Sequence, residues 1–240
     1  MPGSPRPRAL AVLFDYGLTL VSFDFPHECL RQTMAGFGDE LAAAAGRSRA
    51  EPEELLRDVL LPIEEKLPGL GEDEVDYLPF YAAAWRDAGW SLPEDLLLRV
   101  LDAEQRCWDA AVRVIPEAEP ALRGLRRRGL RTAICSNAPF PPAMMHRQVR
   151  QNGLEALVDA VVFSSEVGRR KPAPELYVAV LRRLGVRPEQ ALFVGDQVAE
   201  DYEGPRRLGM RAVLCTALAK APPPDDVPSI ASLAELDRWL

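Results

Sequence analysis

The stretch Phe14-Asp15-Tyr16-Gly17-Leu18-Thr19-Leu20 follows directly on the apolar run Leu10–Phe14. A short run that is continuously apolar, rather than alternating, fits a strand covered on both faces, as in a parallel sheet. An Asp that comes straight off such a strand stands at its carboxyl end, where open α/β sheets bind ligands. Taken alone, Asp15 reads equally well as the cap of a glycine turn.

Three more runs share this character: Thr132–Cys135, Ala160–Phe163 and Ala191–Val194, with Val213–Cys215 as a fifth candidate. Helix-like stretches lie between and beside them, at Glu117–Arg128, Pro142–Asn152, Pro174–Leu184 and Ala199–Leu208. Glycine or Asn-Gly stop signals end several of these, as at Gly129, Gly153, Gly185 and Gly209. Strand–helix alternation predicts an α/β fold built on a doubly wound parallel sheet.

The first strand interrupts that rhythm. From residue 21 to residue 112 the pattern is helical, with segments at His27–Ala45, Pro52–Lys66, Glu74–Ala88 and Pro93–Ala111. This predicts an all-helical lid at 21–112 inserted into a core made of 1–20 and 113–240. The stretch from Pro222 to Pro228 reads as a linker before a last amphipathic segment, Ile230–Leu240. No internal repeat is visible.

Two further groups of residues carry chemistry. In Phe193-Val194-Gly195-Asp196-Gln197-Val198-Ala199-Glu200-Asp201 another strand ends in an acid, with a second Asp five residues on. Asp201 reads as a helix N-terminal cap, but Asp196 has no such structural explanation. Carboxylates at neighbouring strand ends suit Mg²⁺, which takes one or two of them and keeps its waters. In Arg169-Arg170-Lys171-Pro172-Ala173-Pro174 a lysine is braced by prolines, and the chain's other lysines are Lys66 and Lys220. A point cation there could neutralise repulsion between a carboxylate nucleophile and an incoming phosphate. Ser136 and Asn137 close the second strand with a hydroxyl and an amide, able to bond phosphoryl oxygens or simply to make a turn.

Composition narrows the partners. The 240 residues carry a formal net charge of −7, which argues against nucleic acid as a partner. No run reaches the ~18 apolar residues of a membrane span. The basic, Pro-rich start, residues 1–8, reads as a frayed tail and not a signal peptide. Cys29, Cys107, Cys135 and Cys215 lie far apart without CxxC spacing, and are read as free thiols rather than as a disulfide or zinc framework. A soluble, cytoplasmic protein acting on a small molecule is expected; oligomeric state stays open.

In order and spacing, Asp15, Ser136, Lys171 and the Asp196/Asp201 pair resemble the four motifs of the haloacid dehalogenase superfamily. The resemblance spans nearly the whole chain and places the lid as a C1-type cap on a Rossmann-like core. It implies a Mg²⁺-dependent hydrolase, foremost a phosphatase of a small phosphorylated metabolite. Asp15 would be the nucleophile that forms an aspartyl intermediate. Mg²⁺ would sit among the Asp15 carboxylate, the Gly17 backbone carbonyl and Asp196. Lys171 would steady Asp15 and the transferring group, Ser136 and Asn137 would bind phosphoryl oxygens, and Asp201 would orient Lys171 or a metal-bound water.

One departure matters. Family phosphatases usually read Asp-x-Asp-Gly-Thr, whose second Asp is the general acid and base; Gly17 stands there, with Leu18 in place of the glycine. A missing acid costs ~10²–10⁴-fold and falls hardest on alkyl phosphates. It keeps open carbon–halogen or carbon–phosphorus cleavage, as in 2-haloacid dehalogenases and phosphonatases, and also a binding role with little turnover. Gly195-Asp196 argues against dehalogenation. Lys66, which a phosphonatase would use, reads as a helix end, and His27 and His146 read as surface residues.

Overall fold

The computed structural model describes residues 9–219 and 221–240; the expected N-terminal tail lies outside the described residues. Eight strands form: β1 (Ala11–Phe14), β2 (Val21–Ser22), β3 (Arg113–Val114), β4 (Arg131–Ser136), β5 (Ala160–Phe163), β6 (Ala191–Gly195), β7 (Arg211–Cys215) and β8 (Ser229–Ile230). Six of them make one sheet in the order β5-β4-β1-β6-β7-β8, and every pairing in it is parallel. The helices are α1 (His27–Ala45), α2 (Pro52–Leu55), α3 (Leu61–Lys66), α4 (Tyr77–Asp87), α5 (Glu94–Ala111), α6 (Ala118–Arg127), α7 (Pro142–Gln151), α8 (Ser164–Val167), α9 (Pro174–Leu184) and α10 (Gly204–Arg207). A π-helical turn, Leu56–Leu60, joins α2 to α3, so residues 52–66 run without a break. A second, Val198–Glu203, precedes α10.

The sheet is apolar on both faces because alternate residues of each strand point opposite ways. Val12, Phe14, Ile134 and Val194 pack with Leu122 and Leu125 of α6 and Val149 of α7. Ala11, Leu13, Ala133 and Phe193 pack with Leu176, Tyr177 and Val180 of α9 on the other face. Helices on both faces of a parallel sheet are the doubly wound, Rossmann-like α/β fold.

Between Ser22 and Arg113 every α-helix lies off the sheet. Leu30, Met34, Leu56, Tyr81, Trp85 and Val100 belong to a separate apolar cluster there. Where the chain leaves and re-enters, β2 and β3 pair as an antiparallel ribbon, Val21 opposite Val114 and Ser22 opposite Arg113. Two-residue strands lack the length to show as a sequence pattern, and neither the ribbon nor β8 was visible in the apolar runs.

The cysteine reading needs correction. Cys29 of α1 and Cys107 of α5 are joined by a disulfide, with Cα atoms 5.6 Å apart. They are 78 residues apart in sequence, and only the packing of α1 on α5 brings them together. Cys135 and Cys215 are free and buried in the core strands.

Candidate active site

Register sets the site. Phe14 lies opposite both Ile134 of β4 and Val194 of β6. Asp15 therefore emerges between the ends of two neighbouring strands, with Ser136 and Asp196 each two residues beyond those partners. The loop before α9 brings Lys171 beneath them. Its Nζ donates to Asp15 Oδ1 at 2.6 Å and to Asp201 Oδ1 at 2.6 Å, and the lysine is 2 % exposed. Burial would lower the Lys171 pKa, but the Asp15 and Asp201 charges outweigh it and hold the ammonium well above its ordinary range.

Asp201 is fixed from the other side as well. Its Oδ2 accepts the backbone N–H groups of Asp196 and Gln197, both at 2.9 Å. Both oxygens are thus engaged, and the carboxylate ties the strand end to the lysine. Gly195 makes that possible: a Cβ there would stand 2.2 Å from Asp201 Cγ. Burial raises the Asp201 pKa, against the pull of Lys171.

Asp196 is the acid without a counter-charge. Gln197 Nε2 donates to its Oδ2 at 2.6 Å, and among the described residues no lysine or arginine pairs with it. Burial, then repulsion from Asp15 and Asp201, pushes it up to about 7. One oxygen from each of Asp15, Asp196 and Asp201 lies within 4.8 Å of the others. Three carboxylates against one ammonium leave a local excess of negative charge, so the donor set fits a hard divalent cation. With Asp201 occupied, Asp15 and Asp196 are the carboxylates open to it. In the turn after Asp15, Leu18 N–H bonds Val21 O at 2.8 Å and Val21 N–H bonds Tyr16 O at 3.1 Å. Neither bond uses the Gly17 carbonyl.

The Asn137 amide is turned to another use. Lys171 N–H donates to its Oδ1 at 2.7 Å, and its Nδ2 donates to the Lys171 carbonyl at 3.1 Å. It therefore holds the backbone that carries the lysine. Ser136, buried at the end of β4, faces a cavity of about 380 Å³ together with Asp15, Gly17, Asn137 and Asp196.

Over this cavity the helical stretch between β2 and β3 contributes Phe23, Glu64, Leu67, Gln105 and Trp108. The polar members were missed from sequence. Glu64 looks like an ordinary helix-end acid; Gln105 carried a signal, since the spacing of Leu97, Leu101, Glu104 and Gln105 puts polar groups on the buried face of α5. Lys66 is exposed and does not line the cavity. His27 pairs with Glu53 at the surface and His146 with Glu166; neither lines the cavity.

Lid and core are tied at two places. Arg147 of α7 bridges Asp102 and Asp109 of α5 at 2.5 and 2.9 Å. On the other flank, Arg170 N–H bonds Glu72 O at 2.8 Å, Glu74 N–H bonds Gly168 O at 3.1 Å, and the Arg170 guanidinium pairs with Glu74 at 3.1 Å.

Comparison with known proteins decides the family. The family model for haloacid dehalogenase-like hydrolases matches residues 10–209. The chain belongs to that family. Among haloacid dehalogenase-like relatives, a phosphoserine phosphatase of Thermus thermophilus is 41% identical over 98 residues, 41% of this chain and 39% of its own. A glyceraldehyde 3-phosphate phosphatase of Methanopyrus kandleri is 33% identical over 132 residues, 50% of this chain and 56% of its own. The matched stretch therefore spans well under two thirds of these relatives. Among solved structures, a HAD phosphatase from Thermococcus onnurineus superposes with a TM-score of 0.65 at 24% identity, covering 95% of this chain and 96% of the other. A 2-haloacid dehalogenase from Pseudomonas syringae gives 0.67 at 23%, covering 97% and 100%. At that identity the two structures speak for the haloacid dehalogenase fold alone. The chain is thus a member of a hydrolase family, with a Rossmann-like core. No helix among the described residues is long and apolar enough to cross a membrane.

Proposed function

We propose that the chain is a Mg²⁺-dependent phosphatase of a small phosphorylated metabolite, working through an aspartyl-phosphate at Asp15. The observation that carries this reading is Lys171, which neutralises Asp15 from below while Asp196 stands beside it without a counter-charge. A pure binding module has no need of that arrangement.

In the proposed reaction Asp15 attacks phosphorus, the ester P–O bond breaks, and the leaving alkoxide takes a proton from water. A second water then attacks the phosphorus of the acyl phosphate, the bond to Asp15 breaks, and inorganic phosphate leaves. Lys171, held at 2.6 Å from both Asp15 and Asp201, keeps the nucleophile oriented. Ser136 binds phosphoryl oxygen, and Asn137 serves chiefly by fixing Lys171, with its second amide hydrogen left for the phosphoryl group. Mg²⁺, held by Asp15, Asp196 and the Gly17 carbonyl, would supply the charge that balances the phosphoryl oxygens. Residues 21–112 act as the lid that excludes water over a core formed by 1–20 and 113–240. A cytoplasmic setting would expose the Cys29–Cys107 bond to a reducing thiol pool.

Dehalogenase and phosphonatase readings find less support: Asp196 has no task in the first, and Lys66 stays outside the cavity that the second would need it in. The test is hydrolysis of an aryl phosphate with Mg²⁺ and with chelator, in the native protein and in Asp15→Asn. Turnover that needs Mg²⁺ and falls by roughly 10⁴-fold or more in the variant supports the reading. Turnover unchanged by either would overturn it.

A further inference from the structure

The lid wall of the active-site cavity carries hydrogen-bond acceptors with nothing to accept. Among the described residues the Glu64 side chain has neither a hydrogen bond nor an ion pair, and it lines the same cavity as Asp15 and Ser136. Burial alone pushes its carboxyl up to about 7, as expected of an acid lacking a counter-charge. Beside it, Gln105 is 2 % exposed, and its Oε1 is fully buried without a partner.

The orientation of the Gln105 amide follows from its other end. Its Nε2 donates to Asp109 Oδ1 at 3.3 Å, an oxygen that also accepts Gln148 Nε2 at 3.1 Å. Both amides turn their NH₂ groups to Asp109 Oδ1, so the Gln105 carbonyl lies on the side of its amide away from Asp109. A buried acceptor left without a donor is destabilising.

The rest of the wall is aromatic. Trp108 and Phe23 stand edge to face, ring centres 6.1 Å apart, and both line the cavity. A carboxylate, a bare carbonyl and an indole face share an affinity for cations. The cavity's one lining cation, Arg170, belongs to the core side and is already paired with Glu74. A substrate with a carboxylate at this end would meet Glu64 head-on.

The geometry points to a subsite for a protonated amine, formed by Glu64 and Trp108 with Gln105 beside them, so that the substrate is a small aminoalkyl phosphate. The phosphoryl end of that assignment rests on the phosphatase reading; the amine end stands on the lid residues. The cavity's roughly 380 Å³ accommodates a molecule of this size. Ammonium N–H groups bond Glu64, whose ionised form the amine's charge stabilises, and Gln105 borders that contact.

The test is calorimetric binding of two non-hydrolysable ligands to the Mg²⁺-supplied protein: 2-aminoethylphosphonate, and propylphosphonate, in which a methyl replaces the ammonium. The amine should bind at least about tenfold tighter, a difference of ~1.4 kcal/mol. Glu64→Gln should reduce the preference to about threefold or less, and Gln105→Leu should reduce it in part. Thermal melts of both variants establish that the lid is folded. Equal binding of the two ligands by the native protein, or a preference that survives in folded Glu64→Gln, overturns the subsite. Aryl phosphate hydrolysis by the native protein, run in parallel, reports separately on the phosphatase reading. If it is absent while the amine preference holds, the reaction fails and the subsite stands.

Discussion

The Asn137 side chain and the Lys171 backbone are joined by two hydrogen bonds, one at each end of the amide, 2.7 and 3.1 Å long. A primary amide thus pairs with a peptide unit much as two strands pair, and it sets where the lysine ammonium comes to rest. Asn137→Ala removes both bonds and leaves the loop to find its own position. The expected result is a fall in kcat of roughly tenfold or more on an aryl phosphate, larger than the rise in KM from the lost amide hydrogen, since positioning is the main loss. Stability should drop by about 2 kcal/mol in denaturant titrations, at ~1 kcal/mol per bond. Normal kcat in Asn137→Ala would show that the proline-braced loop holds Lys171 unaided.

Gly17 is not there because the backbone demands it. Its φ lies outside the left-handed region, and a Cβ would meet Phe23 Cε1 at 3.4 Å, an ordinary contact. The residue after it, Leu18, takes the left-handed conformation instead, at φ 56°. An acid can therefore be installed. Gly17→Asp should raise hydrolysis of alkyl phosphates by up to ~10²-fold while changing aryl phosphates far less, because only the poor leaving group needs the proton. The ratio of the two rates, before and after, is the measurement; an unchanged ratio means protonation does not limit the native reaction.

Reducing Cys29–Cys107 frees a chain segment of 78 residues that includes most of the lid. A dithiol reductant, or Cys29→Ser with Cys107→Ser, should cost about 2–4 kcal/mol of stability. Far-UV melts should show lid helices lost ahead of the sheet. Superimposable melts with and without reductant would mean that α1–α5 packing alone holds the lid.

Glu104 supplies a pH dependence whose sign can be worked out. Burial, partly offset by the Tyr81 hydroxyl donating at 2.5 Å, together with the charge of Glu64, moves its carboxyl from 4.5 up to about 8. The folded state thus holds a proton that the unfolded chain gives up. Its contribution is complete below about pH 4.5, is lost as pH climbs, and is gone above about pH 8. Glu104→Gln keeps the shape without the proton. Its melting temperature should fall less than that of the native protein between pH 5 and 9, with a gap of several degrees at the alkaline end. Parallel curves would place the titration elsewhere.

The core was legible in the sequence because covered parallel strands announce themselves: Ala160–Phe163 was read to the residue, and the other four core strands to within two residues. So were the helices, with Pro174–Leu184 and His27–Ala45 matching at both ends. Asp15, Ser136 and Asp196 converge because they sit at strand ends, which can be read along the chain; Lys171 joins them from the loop before α9 and Asp201 from the π-helical turn after β6. What stayed hidden depends on contacts across sequence. Nothing near Cys29 points to Cys107, and nothing near Asn137 says that its amide will face a peptide 34 residues on. Glu64 and Gln105 likewise acquire meaning only when α3 and α5 close over the sheet.

The bonds between residues 72–74 and 168–170 reach further than lid packing requires. Arg170 precedes Lys171 in the chain, so the segment of the lid that grips it is one peptide away from the ammonium under Asp15. Swinging the lid outward must break or drag those bonds, and with them the footing of the lysine. In the proposed reaction, admission of substrate and arming of Asp15 would then be one mechanical event: a gaping lid would leave Asp15 without its set partner.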